Sequence, residues 1–338
     1  MDVQKRFDLI IKNTAEVLTS EDLRKLLEEK KNPTAYLGVA TTGPVHAGYF
    51  VPLGKLFDFG KAGMKNKILL ADVHAALDDL KTSWDQLDAK AEYYKKCIEL
   101  AYPWEKKPTF VQGSSFQITS NYQLDVLKMS TLTTITRATR AASEVTRMKN
   151  PKVSELIYPI MQTLDEQYLD ADIQLGGQDQ RHIMAFAREY LPLLQYKAHV
   201  EVMTPLVVSL KGPGVKMSAS LPESSIKIYE SEASIKEKIS KAYCLLGEVN
   251  DNPILQLCKY TLFPVQGSLK IERPAKFGGD LKFENYEDLE HSFAEKKIHP
   301  LDLKNAVAAA LIRMFKKVRT YFEKNNDLLK KLGQNFLA

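Results

Sequence analysis

Two features of the sequence predict an α/β domain with a parallel sheet, followed by a mainly helical domain. The first is a pair of compact apolar runs, AYLGV (35–39) and KILLA (67–71), that show no alternation. Strands of that kind are buried on both faces, as in a parallel sheet. The amphipathic stretch between them makes a right-handed βαβ unit the expected connection. The second feature is a polar segment near residues 222–232, after which helical periodicity dominates. A boundary after residue 228 follows, and 338 residues is a natural length for two domains.

Composition excludes several classes. A hydrophobic content of 44% and a charged content of 26% suit a globular protein, and no apolar run approaches the ~18 residues that a membrane span needs. The N-terminus, MDVQKRFDLIIKNTAEV, lacks the apolar core and cleavage site of a signal peptide. Cys97, Cys244 and Cys258 form no CxxC pair, so a reduced, intracellular setting is expected and a cysteine zinc site is not. The net charge of +5 permits nucleic-acid binding without requiring it.

In chain order, residues 4–13 and 19–30 read as amphipathic helices, with Thr19 and Asp22 in a capping-box pattern and Asn32-Pro33 as the stop. After the first strand, TTGPVHAGY (41–49) is a Gly/Pro turn into a helix that opens with His46 and Gly48. That layout receives phosphates at a helix N-terminus. A long helix at 87–101 precedes a strand at 109–113. Residues 120–147 then read as one helix whose later part gathers Arg137, Arg140 and Arg147, with Lys149 beyond. A charge run of this kind is usually a solvated face.

The stretch YPIMQTLDEQYLDADIQLGGQDQR (158–181) reads as a helix, a strand at 171–175, a glycine turn and a helix from 179. Tyr158, Gln162 and Asp165 fall at i, i+4 and i+7, which places a phenol, an amide and a carboxylate on one face. Gly176 and Gly177 leave the backbone open to a ligand, and Gln180 and Arg181 start the next helix near its positive end. Strands at 200–203 and 206–210 lead through a loop at 211–215 to Lys216-Met217-Ser218-Ala219-Ser220. Beyond the boundary come a KFGGD loop (276–280), an HPLDLK turn (299–304) and a last long helix with core spacing through residue 322. The polar tail from about residue 324 is expected to be partly mobile.

The His-x-Gly helix start after the first strand and the KMSAS loop after the last stand in an order and separation that chance rarely supplies. They resemble the two signature motifs of the class I aminoacyl-tRNA synthetases. The 158–181 stretch is similar to the tyrosine-binding segment of archaeal and eukaryotic tyrosyl-tRNA synthetases. The likeness extends from about residue 7 to residue 321 and includes KFGGDL and HPLDLKNAV.

The resemblance implies a Rossmann-like, nucleotide-binding catalytic domain over 1–228 that activates tyrosine, and a helical anticodon-binding domain over 229–338. By position, His46, Lys216, Ser218 and Ser220 would act on the phosphates. Tyr36 and Asp165 would hydrogen-bond the phenol, and Tyr158, Gln162 and Gln180 would hold the amino and carboxylate end. Gly38, His46, Gly48, Gly177, Asp179 and Lys216 would line the ATP side, with Met203 near the adenine. Ala71, His74 and Gln117 would wall the pocket. Arg140 and Arg181 would meet the acceptor end of tRNA(Tyr), Phe277 would stack on an anticodon base, and Asp302 would accept from a guanine edge. The implied partners are L-tyrosine, tRNA(Tyr), a second copy in a homodimer, and ATP carrying its own Mg2+. A dedicated protein metal site and a membrane are not expected, and the cytoplasm is.

Taken as residues alone, His74 and Gln117 serve equally well as satisfied structural polars. Asp165, a carboxylate on the inward face of an apolar helix, is poorly explained that way. Two positions depart from the motifs: Tyr49 replaces the second histidine of many class I enzymes, and Ala219 replaces a loop serine. KMSAS also occurs in eukaryotic-type tryptophanyl-tRNA synthetases, which makes tryptophan the alternative substrate. The missing histidine and serine are what a synthetase-like tRNA-binding protein without activation would show.

Overall fold

The computed structural model describes residues 1–145, 151–217 and 221–337. The chain packs as two compact units. One comprises Met1–Thr42, Asp58–Lys95 and Trp104–Pro205; the other comprises Gly43–Phe57, Lys96–Pro103 and Leu206–Ala338. These units are defined by packing, a different quantity from the functional division expected between residues 228 and 229.

The first unit is built on a six-stranded sheet. Its elements begin with helix α1 (Val3–Ile11), strand β1 (Glu16–Leu18), α2 (Ser20–Glu29) and β2 (Thr34–Ala40). They continue with the end of α3 (Phe50–Lys61), β3 (Lys65–Ala71), α4 (Asp72–Leu77), the start of α5 (Leu87–Ala101), β4 (Thr109–Gln112) and α6 (Ser114–Gln117), the rest of α3 and of α5 counting with the second unit. Then come α7 (Ser120–Leu132), α8 (Ile135–Ala142), α9 (Val153–Tyr168), β5 (Ile173–Gly177), α10 (Arg181–Tyr190) and β6 (Val200–Thr204). The sheet order is β1-β6-β5-β2-β3-β4, parallel throughout except for β1 against β6.

The parallel, non-alternating strands are those the apolar runs predicted, and their burial follows from helices that cover the sheet. From β2 the chain proceeds to β3 and β4 on one side, then returns to β5 and β6 on the other. The carboxyl ends of β2 and β5 therefore flank a topological switch point, where ligands of open α/β sheets bind. Helices α4, α7, α8, α9 and α10 share one apolar core, centred on Tyr122, Met129, Leu164, Ile183, Phe186 and Leu191.

Several expectations are corrected. The three-residue β1 is too short to show a period, and pairing with β6 alone defines it. The single helix expected over 120–147 breaks at Thr133 and Thr134. There Thr134 turns its hydroxyl back to accept the Arg137 N–H at 3.2 Å, starting α8 afresh. Arg147 and Lys149 lie outside the described residues. Strand β5 carries on through both glycines, and a 3-10 turn, Gln178–Gln180, precedes α10.

In the second unit, the segment 211–215 is no loop. Strands β7 (Val208–Ser209) and β8 (Gly212–Lys216) form an antiparallel hairpin, with Gly212 and Gly214 at φ of +102° and +88°. Only glycine takes such angles without strain, and the hairpin delivers Lys216 on a strand end. The last long helix is divided at Phe315 into Pro300–Met314 and Lys316–Lys324, and the Phe315 ring is buried edge-on against Phe50. The tail has structure of its own: Asn326–Leu332 is helical and buries Leu329 and Leu332, and the following turn, Gln334–Phe336, buries Phe336. Phe50 also stacks on Tyr102, whose hydroxyl donates to the Phe50 carbonyl at 3.1 Å.

Gly54, buried in the second unit's part of α3, lies against the backbone of Tyr260. A Cβ there would stand 2.8 Å from the Tyr260 carbonyl oxygen. Gly→Ala inside a helix ordinarily gains up to ~1 kcal/mol. Here backbone cannot yield as a flexible side chain would, so Gly54→Ala is expected to lose roughly 1–3 kcal/mol instead. Urea unfolding checks this, and a midpoint equal to or above wild type refutes it.

Candidate active site

Asp165 is the hub of the first unit's polar interior. Helix α9 places it with Tyr158 and Gln162 on the face that the spacing predicted. A fully buried carboxylate is costly unless donors surround it. Three do: His74 Nε2 at 2.7 Å on one oxygen, and Gln117 Nε2 and Tyr122 Oη, both at 2.8 Å, on the other. The structure thus brings Asp165, His74 and Gln117 together and adds Tyr122, which the sequence did not single out. Two buried acceptors beside this hub, His74 Nδ1 and Gln117 Oε1, have no donor among the described residues. The Tyr158 ring stands edge-on to His74, centroids 4.5 Å apart.

The floor of this region is fixed by Asp72, the first residue of α4 directly after β3. Its carboxylate accepts from the Val73 and Ser114 N–H groups at 2.9 Å, from Ser114 Oγ at 2.6 Å and from Gln112 Nε2 at 2.8 Å. A Cβ on Gly113 would meet both Asp72 Oδ1 at 2.8 Å and Gln117 Oε1 at 2.5 Å. Gly113 therefore keeps Gln117 in reach of Asp165. Ala71, at the end of β3, shares a small core with Tyr36 and Leu69.

Tyr36 is buried on β2, and its hydroxyl reaches Gln174 Oε1 at 3.1 Å. Burial, and then the neighbouring carboxylates of Glu166, Asp165 and Glu201, hold its pKa well above the usual tyrosine value, so it stays protonated. Gln162 Nε2 donates to Gln180 Oε1 at 3.0 Å, joining two of the residues expected at the amino-acid end. Gly176 makes room for the protein itself rather than for a ligand. A Cβ there would fall 2.7 Å from Met184 Cε and 3.1 Å from Gln180 Cγ. Gly38 is exposed in the middle of β2, its missing Cβ facing only the Tyr36 ring at 3.8 Å. Asp179 sits half-buried in the turn after β5, with Gly177 at that strand's end. Met203 is fully buried in β6, paired with Glu16 and Gly176.

In the second unit, His46 precedes a 3-10 turn, Ala47–Tyr49, rather than opening the helix directly. Bridging to Lys227 and the Ala47 N–H bond to the Ile226 carbonyl at 2.9 Å pin its backbone. Its Nδ1 accepts the Gly48 N–H at 3.1 Å, so the neutral ring carries its proton on Nε2 as a donor. A Cβ on Gly48 would lie 2.8 Å from His46 Cε1, which explains the glycine. Tyr49 packs its ring edge against His46, centroids 4.9 Å apart. The Lys216 side chain, with Ser218, Ala219 and Ser220, lies outside the described residues.

The four residues expected on RNA are dispersed. Arg140 is exposed in the last turn of α8. Arg181 is engaged by Glu16 through two bonds of 2.7 and 2.9 Å, an exposed pair that a phosphate can displace at little cost. Phe277 is 60% exposed in the turn Ala275–Phe277, and Asp302 sits in the first turn of Pro300–Met314. Among the described residues no cluster of three His, Cys, Asp or Glu could hold a metal ion, and no helix is long and apolar enough to cross a membrane.

Burial lowers the His46 pKa from 6.5 to about 4. The unfolded chain binds this proton more readily between those values, so the stability tied to a neutral His46 is complete above pH 6.5 and is lost as pH falls toward 4. The full swing is roughly 3 kcal/mol. Unfolding of wild type and His46→Asn, compared from pH 7.5 down to 5, should show the wild type losing ground to the variant. A constant difference across that window overturns the assignment.

The chain has clear relatives. A family model described as tRNA synthetases class I (W and Y) matches residues 28–316. The tyrosine–tRNA ligase of Haloarcula marismortui is 42% identical over 97% of each chain. That of Methanococcoides burtonii is 43% identical, covering 94% of this chain and 100% of its own. The crystal structure of the Archaeoglobus fulgidus tyrosyl-tRNA synthetase complexed with L-tyrosine matches with a TM-score of 0.90 at 41% identity, over 94% of this chain and 99% of that one. A Giardia lamblia tryptophanyl-tRNA synthetase shares the fold at a TM-score of 0.70, with 17% identity. Together with the two motifs and the Asp165 hub, this places the chain in the class I tRNA synthetase family, among the tyrosine–tRNA ligases.

Proposed function

We propose that the protein condenses L-tyrosine with ATP to tyrosyl-adenylate, releasing pyrophosphate, and transfers the tyrosyl group to tRNA(Tyr), releasing AMP. The observation that carries the choice of tyrosine is the buried Asp165 hub beside Tyr36. Acceptors set in an apolar interior reward a phenol and reject a plain ring. Tryptophan has no comparable observation behind it, because the tryptophanyl relative supports the fold alone.

In this reading Tyr36 and Asp165 take the phenol, Gln117 and His74 wall it, and Tyr158, Gln162 and Gln180 hold the amino and carboxylate end. The substrate carboxylate attacks the α-phosphorus, and the protein's task is to position and to stabilise charge. His46 Nε2–H donates to a phosphate oxygen as a neutral group. Lys216 brings the positive charge to the departing phosphates, with Ser218 and Ser220 as further donors. Gly38, Gly48, Gly177, Asp179 and Met203 serve the nucleotide, and Mg2+ enters as Mg-ATP. Residues 1–228 carry this chemistry, and 229–338 read the anticodon.

The protein works as a cytoplasmic homodimer, a setting suited to its three buried cysteines, none of which is in a disulfide. Leu124, Leu127 and Leu132 on α7, Ile118 before it, and Ile135 at the start of α8 are large apolar side chains left exposed. A second copy covering them is the simplest use of such a patch.

The direct test is tyrosine-dependent exchange of labelled pyrophosphate into ATP. Wild type should exchange with tyrosine. Lys216→Ala should lower the rate on the order of a hundredfold, about 3 kcal/mol, while tyrosine affinity is unchanged. Absence of exchange with any amino acid, from folded protein, defeats the enzyme reading, and exchange with tryptophan alone moves the substrate.

The tRNA roles are tested by charging. Phe277→Ala should weaken it roughly ten- to a hundredfold, the value of one base stacked on a ring. Asp302→Ala should cost a comparable ~1–3 kcal/mol only with the cognate first anticodon base. Both variants should exchange pyrophosphate as wild type. Arg140→Ala should instead weaken every tRNA alike and flatten the salt dependence. An Asp302→Ala penalty equal for cognate and substituted tRNA assigns that residue to the turn alone.

A further inference from the structure

The hairpin that carries Lys216 is held at its outer edge by a side chain that the activation chemistry leaves unused. Within the second unit, Val208 on β7 stands directly opposite Lys216 on β8. The Met217 N–H donates to the Val207 carbonyl at 3.2 Å, one residue to the side of that pair. Val208 and Lys216 are therefore a pair without mutual bonds, and the Val208 N–H points away from β8. The pairing slips between Val208 and Ser209, so strands of two and five residues share very little ladder.

Gln256 takes that outward N–H. Its Oε1 accepts from the Val208 nitrogen at 2.8 Å, across 48 residues of chain. Gln256 sits on a short helix, Pro253–Leu257, whose start is locked by the buried Asn252. The Asn252 side chain accepts from the Ile254 and Leu255 N–H groups at 3.0 and 3.3 Å, and donates to the Glu248 carbonyl at 2.9 Å. The hairpin is fixed from the same region at its other end. The Tyr243 N–H donates to the Leu210 carbonyl at 2.7 Å, and a Cβ on Gly212 would stand 2.8 Å from the Tyr243 ring.

The geometry points to Gln256 as a positioning residue for Lys216. A point charge aimed at departing phosphates is only as well placed as the backbone that carries it. With so little ladder of its own, the hairpin is anchored at Val208 by the Gln256 acceptor, and Lys216 stands across from Val208. Without that acceptor the Val208 N–H loses its protein bond, and the end of β8 loosens. Only the oxygen of the amide is used, so a carboxylate at position 256 serves equally well. This rests on the activation reading above, and deepens it.

The test is Gln256→Met, similar in length and without an amide oxygen, alongside Gln256→Glu, which keeps an acceptor there. Both are read by tyrosine-dependent pyrophosphate exchange at saturating ATP and by calorimetric tyrosine binding. Gln256→Met should lower the exchange rate roughly tenfold, the worth of one hydrogen bond, with tyrosine affinity unchanged. Gln256→Glu should stay close to wild type. In Lys216→Ala, Gln256→Met should add little further, because the two residues act through one charge. A Gln256→Met rate equal to wild type, equal losses in the two variants, or a full further loss on top of Lys216→Ala overturns the proposal. So does a tyrosine affinity that falls with the rate. Should wild type exchange with no amino acid, the activation reading fails and takes this role with it. The other outcomes all require an active wild type, and the two failures are thereby told apart.

Discussion

The first unit depends on keeping one carboxylate dry. Asp165 is shielded from water, and the several kcal/mol that desolvation costs is offset only because three donors converge on it at hydrogen-bond distance. Those donors come from three separate elements: His74 from α4, Gln117 from α6 and Tyr122 from α7. Each must therefore hold its place relative to α9. Asp72 extends the constraint by tying the end of β3 to the end of β4, which seats α6. A hub satisfied before any ligand arrives needs little rearrangement when one does.

The residues proposed for the phosphate side follow the opposite electrostatic logic. His46 is kept neutral by burial, and the Gly48 N–H selects its tautomer. A neutral donor can sit in a dry setting at small cost, whereas an imidazolium there would demand a counter-ion. In the proposed reading the positive charge for the phosphates comes from Lys216, which the sequence places at the end of the β8 strand. Tyr49, in the place of a second histidine, sets its ring edge against His46.

What the sequence made legible was local. The α9 face of Tyr158, Gln162 and Asp165 follows from helical period alone, and the buried strands β2 and β3 follow from unbroken apolar runs. Sheet register sets Tyr36 beside Gln174 and Gln174 beside Glu201, a row that was hidden because it depends on pairing between strands distant in the chain, which no period encodes. A signal was nevertheless present. Gln174 and Glu201 each interrupt an otherwise apolar strand, and a polar residue at such a position asks for a partner. Tyr122 gave no comparable sign, since its ring alone suits the helical core. The break at Thr133 and the hairpin at 208–216 were missed because capping hydroxyls and left-handed glycines act through backbone geometry rather than pattern.

The glycines carry the last step of this reasoning. From sequence, a glycine beside a strand end suggests a ligand pressed against the backbone, and Gly38, exposed in β2, keeps that role open. At Gly48 and Gly113 the space is taken by the protein's own His46 and Gln117, and at Gly176 by Met184 with Gln180 beside it. His46, Gln117 and Gln180 are side chains that the sequence had marked as functional. These glycines let each of them lie closer to the backbone than a Cβ would permit. In this way the smallest residues fix where the larger polar ones point.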